Sequence, residues 1–504
     1  MRRRMLIVAA AAVAMCTSLA CGTTLQATGQ RGDNLSAGGG QGLGGPGAGT
    51  TGPGANGLGG PGANGAGGAG AGSTGAGANS LGGSGSLGGS AAIPPGKAPL
   101  LIGAAYERNA NTGDSSLGAS NNDPGDFKAD YTALIKYINA HGGIAGHPLT
   151  PVWYEFDVTS SESVSTQEQR ACDTWTHDHH VFAILIGQSD LMKTCAKNAG
   201  IVQISVEASS TDSTGFARYP ALVEITTVGL DRIGPATVSG LQRMHYFDGV
   251  KSRQLGIVTW DEPQFKHGVE HGYLPALGHL GLSIANPHRA YLHVPDNAAD
   301  VAATSNDARA AALRFAQDGV THVMILDGHA GIATGGVVHL EFMLNAEALH
   351  YRPRYGLNGT AAYSAGAGTY PKAQQHGAVG ISWSPSDDPD ASPDTHAGYY
   401  MAQKRCLTIF RDAGIVATNP NAEANLYGTC DELFFMQLVA SRVSGSLTTS
   451  SFIGSVARLG SLFPPADTFA TSFAGRRDGA SEGRDIEFVD SCTCYRYVGG
   501  RFAI

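Results

Sequence analysis

Short apolar runs that alternate with amphipathic stretches set the tightest limit on how this 504-residue chain folds. Leu100-Leu101-Ile102-Gly103 reads as a first strand, and Phe127, Tyr131, Leu134, Ile135 and Ile138 then recur at helical spacing. Further strand-like runs are Val181-Phe182-Ala183-Ile184-Leu185-Ile186, Ile201-Val202-Gln203-Ile204, Gln254-Leu255-Gly256-Ile257-Val258 and His322-Val323-Met324-Ile325-Leu326. Helical stretches around Ala196, His271, Ala311 and Phe342 separate or follow them. A βαβα rhythm of this kind implies α/β architecture, with parallel sheets covered by helices on both faces. Ligands of such sheets bind beyond the carboxyl ends of the strands, and two such lobes facing one another put the site in the cleft between them.

The rhythm begins only near residue 98. Ahead of it, Met1-Arg2-Arg3-Arg4 precedes an apolar run over residues 5–15, and Ser18-Leu19-Ala20 places small residues just before Cys21. A basic head, a short apolar middle and a small-x-small exit make residues 1–20 a secretory signal peptide. The run is too short for a permanent membrane helix, which needs roughly 20 residues. Ser18-Leu19-Ala20-Cys21 also resembles the lipobox of bacterial lipoproteins, with Ser18 where the usual box has leucine. Of eight cysteines, Cys16 leaves with the signal, and Cys172, Cys195, Cys406, Cys430, Cys492 and Cys494 can pair completely in an oxidising compartment. Cys21 is then the odd one, which marks it for lipidation and the protein for an extracytoplasmic place at the cell membrane.

Residues 37–96 are dominated by Gly with Ala, Ser, Pro and Asn, and hold no charge and no aromatic side chain. Such a segment cannot bury enough apolar surface to offset chain entropy, so residues 21–97 are expected to be a disordered tether. A tether of about 76 residues has a root-mean-square reach of roughly 45–50 Å. Repeats such as Gly44-Gly45-Pro46-Gly47-Ala48 lack the strict every-third-glycine period of collagen. The mild acidity of the chain, net charge −9, argues against nucleic acid as a partner. No Gly-x-Ser-x-Gly elbow and no phosphate-cradling Gly-rich loop is present, and no cofactor is implied.

One stretch is more specific. Tyr137-Ile138-Asn139-Ala140-His141-Gly142-Gly143-Ile144-Ala145-Gly146-His147-Pro148-Leu149 resembles the Asn-x-x-Gly-Gly-Ile-x-Gly signature of type I solute-binding proteins, in the leucine/isoleucine/valine-binding branch that serves ABC importers. The resemblance covers roughly residues 98–445. It implies two doubly wound parallel-sheet lobes joined by hinge crossovers, the type I periplasmic binding protein fold. On that plan residues 98–229 form lobe 1, 230–358 lobe 2, 359–450 a return to lobe 1, and 451–504 a C-terminal segment in lobe 2 and the hinge. Cys172 and Cys195 flank the third strand much as a family disulfide does. Cys406 and Cys430 would join the starts of two consecutive helices, leaving Cys492 and Cys494 to one another or to a partner outside these pairs.

The resemblance also implies a small-molecule ligand, an amino acid, amide or related solute, and an ABC permease as partner. The ligand-contacting residues it implies in lobe 1 are Tyr106, Glu107 and Asn109, then Gln188, Ser189 and Asp190, then Glu207 and Ser209. In lobe 2 they are Trp260, Asp261 and Phe265, then Asp327 and His329, then Asn358, with Trp383 added where the chain returns. Around Gly356-Leu357-Asn358-Gly359-Thr360 no acid stands where the family holds an ammonium group, and Glu207 replaces a usually small residue. A neutral, cationic or aromatic ligand therefore fits better than a branched-chain amino acid, with Trp260, Phe265 or Trp383 as stacking faces.

Two other readings remain open. The same scaffold serves ligand-sensing receptors, which sequence does not separate from importers. His267-Gly268-Val269-Glu270-His271 also spells a His-x-x-Glu-His zinc-peptidase pattern, with Glu341 or Glu347 as third ligand and a hydrolase as the consequence. His177-Asp178-His179-His180 fits a solvated turn better than a metal site.

Overall fold

The computed structural model describes residues 98–110, 112, 123–185, 189–206, 209–297, 299–331 and 335–504. The signal peptide, Cys21 and the tether lie outside these residues. Among the described residues no helix is long and apolar enough to cross a membrane.

Twelve strands form two sheets among the described residues. Lobe 1 is built on β1 (Leu100–Arg108), β2 (Leu149–Asp157), β3 (Ala183–Leu185), β4 (Val202–Ser205) and β5 (Leu222–Glu224), in the order β2-β1-β3-β4-β5. All its pairings are parallel. Lobe 2 holds β6 (Leu255–Trp260), β7 (Arg289–Leu292), β8 (His322–Ile325), β9 (Arg354–Leu357), β10 (Val379–Ser382), β11 (Glu482–Val489) and β12 (Cys494–Ala503), in the order β12-β11-β10-β9-β8-β6-β7. Only β11 and β12 run antiparallel, as a hairpin added to the β10 edge.

Helices in chain order are α1 (Phe127–Ala140), α2 (Val164–Asp173), α3 (Asp190–Ala199), α4 (Ser213–Arg218), α5 (Leu230–Arg243), α6 (Pro263–His267), α7 (Leu274–His279), α8 (Val301–Asp318), α9 (Val337–Ala348), α10 (Tyr363–Thr369), α11 (Lys372–Gln375), α12 (Gly398–Asp412), α13 (Pro420–Ser441) and α14 (Thr449–Ala457). One face of the lobe 1 sheet packs on α1, α13 and α14 through Leu134, Ile138, Leu433, Met436 and Phe452. The other packs on α2 and α3 around Trp175. Gly103 in β1 has no room for a side chain there, since a Cβ would meet the Trp175 ring at 2.7 Å. Lobe 2 has one continuous core that runs from Val228 to Tyr495.

The glycine signature works by local geometry. Asp126 caps α1 by accepting from Ala129 N–H at 3.0 Å, and Tyr131, Leu134, Ile135 and Ile138 bury one face. The helix stops because Gly142 and Gly143 take φ of 95° and 70°, a region that disfavours other residues. A Cβ on Gly143 would lie 2.1 Å from the His147 carbonyl oxygen. The Asn139 side chain then grips the first residue of β2, donating to Leu149 O at 2.9 Å and accepting from Leu149 N–H at 2.7 Å. One asparagine and two glycines thereby fix both the end of α1 and the register of β2.

Disulfides Cys172–Cys195 and Cys406–Cys430 join α2 to α3 and α12 to α13. Closing loops of this length restricts the unfolded chain by roughly 3 kcal/mol each on an entropic account. Cys492 and Cys494 are bonded to one another.

The boundaries differ from the sequence reading at the C-terminal side. Residues 359–382 stay in lobe 2, because β10 continues its parallel sheet beside β9. Trp383 packs in the same core. The return to lobe 1 comprises α12 to α14 and extends through Phe463 and Ala466 to Phe473, so of residues 451–504 only the β11–β12 hairpin supplies lobe 2 strands.

Between the lobes, crossing segments bind one another. Gly479 N–H donates to Glu224 O at 2.8 Å, Ala480 N–H to Thr227 O at 3.0 Å, and Phe469 N–H to Trp383 O at 3.0 Å. Arg232, in the first turn of α5, pairs with buried Asp478 and donates to the carbonyls of Ala480 (3.0 Å) and Ile504 (2.7 Å). Removing one partner of such a pair strands the other charge. Arg232→Met should therefore lower unfolding free energy by about 3 kcal/mol. Denaturant titration followed by circular dichroism reads this, and a change within about 0.5 kcal/mol, typical of a surface site, contradicts the assigned role.

Candidate functional site

The carboxyl ends of β3, β4 and β5 in lobe 1 face those of β6 and β8 in lobe 2. Ser189 caps α3, accepting from Met192 N–H at 3.1 Å and donating to Glu168 of α2. One turn on, Lys193 lies on the face of α3 that also buries Met192, Cys195 and Ala196, and it is only 2% exposed. Its ammonium donates to Ser210 O at 2.9 Å and stands 3.6 Å from Asp190 Oδ1. Glu224 ends β5 with no exposed surface and accepts from Ser210 Oγ (3.3 Å) and Thr227 Oγ1 (3.1 Å). Ser209 is fully buried beside them, and its hydroxyl has no hydrogen-bond partner among the described residues.

Lobe 2 brings Glu262 and His329 to the same place. Glu262 precedes α6 and accepts from Gln264 Nε2 at 2.7 Å, and its charge couples to Lys193 across the cleft. His329 follows β8, and its backbone N–H donates to Ser209 O at 3.2 Å, directly from lobe to lobe. Two further clasps close the same gap. Asp296 of lobe 2 accepts from Ser165 N–H (3.1 Å) and Ser165 Oγ (2.9 Å) at the start of α2, while its carbonyl accepts from Val164 N–H at 2.7 Å. His267 reaches Asp231 at 2.7 Å and Asp212 at 3.2 Å. Gly328 makes a close approach of its own: a Cβ there would lie 2.0 Å from Ser209 O and 2.9 Å from the Phe265 ring.

Burial governs the charges. It pushes Glu168, Glu224 and Glu262 each up to about 7, opposed in each case by the Lys193 charge. Burial lowers Lys193, whose neighbours Glu224, Asp190 and Glu262 pull the other way. His329 is held down to about 4 by burial and then by Lys193. The cluster thus presents carboxyls that gain or lose a proton near neutrality around one ammonium, with hydroxyls and carbonyls between them. Chemically it can accept hydrogen bonds from a cationic or neutral donor and offer the ammonium to an acceptor.

Of the residues expected from sequence, the structure brings together Ser189, Asp190, Ser209 and His329. Gln188 and Glu207 lie outside the described residues. Tyr106 and Glu107, with Asn109, Asp126 and Phe127, line a separate cavity of about 360 Å³ at the end of β1, where Tyr106 donates to Glu155 at 2.9 Å and accepts from Lys128 at 3.2 Å. Asp261 is exposed and paired with Lys266. Trp260 and Phe265 sit in the core of lobe 2 with no exposed surface, and Trp383, 5% exposed, packs on Gly359, so none offers a free stacking face here. Asp327 is saturated. It accepts from Trp260 Nε1 (3.1 Å), from the N–H groups of Gly328 (2.7 Å), Gly336 (3.1 Å) and Val338 (2.8 Å), and faces His339 Nδ1 at 3.0 Å. Asn358 bonds Tyr273 OH at 2.9 Å, Ile325 O at 2.7 Å and Thr360 N–H at 3.1 Å.

Sequence reasoning missed Glu168, Lys193, Ser210, Glu224 and Glu262. A charged residue inside an apolar pattern was the available signal: Lys193 among Met192, Cys195 and Ala196, and Glu224 within Leu222-Val223-Glu224-Ile225. Lobe 2 does supply an acid, Glu262, but from the loop after β6 rather than beside Asn358. The His267 and His271 rings lie against one another, tilted by 32° with centroids 4.1 Å apart, and among the described residues no group of three or more His, Cys, Asp or Glu is placed to hold a metal ion.

Two expectations follow. Gly328→Ala should keep the lobes from meeting, giving a larger radius of gyration by small-angle X-ray scattering with unchanged far-ultraviolet circular dichroism; an unchanged radius contradicts the close-approach role. For pH, a glutamate that ionises near 4.5 when unfolded and near 7 when folded holds its proton better in the folded state. Its contribution is complete below 4.5 and is lost as pH rises towards 7, about 3 kcal/mol for Glu224. Asp130, Asp387 and Asp431, also raised to about 7, act in the same direction. His322 and His329, lowered to about 4, act in the opposite direction, but six carboxyls raised to about 7 outnumber them. Melting temperature should therefore fall from pH 5 to 7.5, and Glu224→Gln should make that fall shallower; an identical slope in the variant refutes the assignment.

No family model matches the sequence, and no curated protein matches it. Solved structures do match the fold. One is a possible leucine/isoleucine/valine-binding protein from Rhodopirellula baltica, 11% identical, with a TM-score of 0.55 over 81% of this chain and 98% of that one. Another is an ABC transporter solute-binding protein from R. palustris in complex with 4-hydroxybenzoate, 9% identical, TM-score 0.56, over 80% and 97%. A third is a branched-chain amino acid transporter substrate-binding protein from Streptococcus pneumoniae in complex with isoleucine, 12% identical, TM-score 0.52, over 81% and 99%. With its five-stranded parallel sheet, its mixed seven-stranded partner and the crossing segments between them, the chain has the two-lobed fold of type I periplasmic binding proteins.

Proposed function

We propose that this chain is an extracytoplasmic solute-binding protein that captures a small polar molecule between its lobes by hinge closure and delivers it to an ABC permease. The observation that carries the reading is Lys193, buried where the lobes meet and ringed by Glu168, Glu224 and Glu262 from both of them. Titratable groups gathered in a cleft between lobes are a recurrent mark of a binding site. The relatives with bound isoleucine or 4-hydroxybenzoate support a small solute as cargo. The acid-rich wall supports an amine, amide or other hydrogen-bond donor over a simple carboxylate, because an added carboxylate would meet buried acids. On this reading the site binds and does not catalyse, and acylation at Cys21 together with the glycine tether keeps the domain near its permease.

Ligand and hinge work together. A solute that touches both walls binds the closed form better than the open one, and closure follows from that difference in affinity. A thermal-shift screen across amino acids, amides, polyamines and aromatic acids is the test. A cognate solute at a hundred times its dissociation constant adds about 2.7 kcal/mol of stability, and Lys193→Met should abolish the shift. If no class shifts the wild-type protein, the importer reading fails; if the shift survives in Lys193→Met, the site lies elsewhere.

A further inference from the structure

The three disulfides among the described residues are not alike. Cys172, Cys195, Cys406 and Cys430 are at most 9% exposed, and each of their links joins two helices. Cys492–Cys494 spans a single intervening residue at the tip of the β11–β12 hairpin, and Cys492 is exposed. We propose that this pair is a reversible thiol–disulfide exchange site whose co-reactant is a dithiol, and not a structural cross-link.

Three observations carry the proposal. First, the link closes almost no chain. Entropic stabilisation by a disulfide grows with the loop it closes, and here the β11–β12 ladder already brings the ends together, with Val489 paired to Cys494. Second, the tip is held without the sulfurs. His376 Nδ1 lies 2.7 Å from Asp490 Oδ2 and Lys372 donates to Asp490 O at 3.0 Å, so α11 fixes the turn from below. Third, the ring holds Thr493 at φ 51°. That left-handed conformation is unfavourable for a β-branched residue, and opening the ring removes the covalent restraint on it.

The exchange balances simply. A thiolate of the dithiol attacks Cys492 Sγ, the Cys492–Cys494 bond breaks, and its electron pair leaves on Cys494, which takes up a proton. The second thiol of the reagent then attacks the mixed disulfide and releases Cys492 as a thiol. The protein gains two electrons and two protons, and the dithiol becomes a cyclic or protein-borne disulfide.

The test titrates the folded, full-length protein with dithiothreitol, traps free thiols with N-ethylmaleimide and maps them by peptide mass. Cys492 and Cys494 should be labelled at dithiothreitol concentrations at least about tenfold below those that label the other four, with the melting curve unchanged and the link restored by oxidised glutathione. Labelling of all six together, or of Cys492 and Cys494 only after the protein melts, overturns the proposal. A Cys492→Ser, Cys494→Ser double variant supplies a second check. An unchanged melting temperature supports exchange, whereas a fall of several degrees makes the link structural.

Discussion

A lysine ammonium taken out of water needs either charge or hydrogen bonds from whatever surrounds it, and the arrangement of both lobes around Lys193 follows from that need. Its helix presents an otherwise apolar face, so the side chain cannot retreat towards solvent along α3. It reaches instead to Ser210 O, and Glu224 comes from the next strand end. The remaining acid, Glu262, belongs to the other lobe, so part of the compensation exists only when the lobes are together. A charge whose neutralisation is divided between two bodies couples electrostatics to hinge position. The Ser209–His329 bond and the Asp296 contact with α2 act in the same direction from either side of it.

Much of the fold is legible because its determinants are local. Asn139, Gly142 and Gly143 act over a dozen residues, through a helix end, two left-handed φ values and one side-chain grip on Leu149, and that pattern survives in sequence as a signature. The long apolar runs that became β1, β3, β4, β6 and β8 were legible for the same reason. The strands not found from sequence are ones whose character depends on distant partners. β7 reads Arg289-Ala290-Tyr291-Leu292 and β9 Arg354-Tyr355-Gly356-Leu357, so a charged and a small residue in each interrupt the apolar run that marked the equally short β4 and β8. β11 and β12 carry Gly, Arg and Glu, and pair only because the edge of β10 is open to them. The lobe boundary was misplaced at residue 359 for the same reason: nothing near it distinguishes a strand that continues lobe 2 from a crossover.

The site was less legible than the fold. Aromatic side chains at strand ends suit a ligand face and a core equally, and only packing decides. Trp260 is drawn inward because its indole N–H is met by Asp327 and Gly328 O, and Trp383 because Gly359 leaves space for its ring. Asp327 looked like a ligand group for the correct reason, an acid after a strand. What it serves is the start of α9, where the N–H groups of Gly336 and Val338 converge on its carboxylate. Lys193 and Glu224 carried the opposite signal, since a charge embedded in an apolar pattern is expensive to bury and persists only where something holds it.

Gly328 shows how closely the site and the hinge are tied. It lies one residue after the saturated Asp327 and one before His329, so the turn that fixes the start of α9 also sets the surface that meets lobe 1. Because Asp327 accepts from Gly328 N–H and from two N–H groups of the α9 region, the Gly328 backbone is held from below and cannot yield to the approach of Ser209. The gap at this point is therefore a rigid one. With the gap fixed by backbone, discrimination on the proposed function falls to the groups around it, Lys193 and three glutamates, and the glutamates change their proton count near neutral pH. On the proposed function, a solute of complementary charge would complete the compensation of Lys193, whereas an anionic one would meet acids that must take up a proton or repel it.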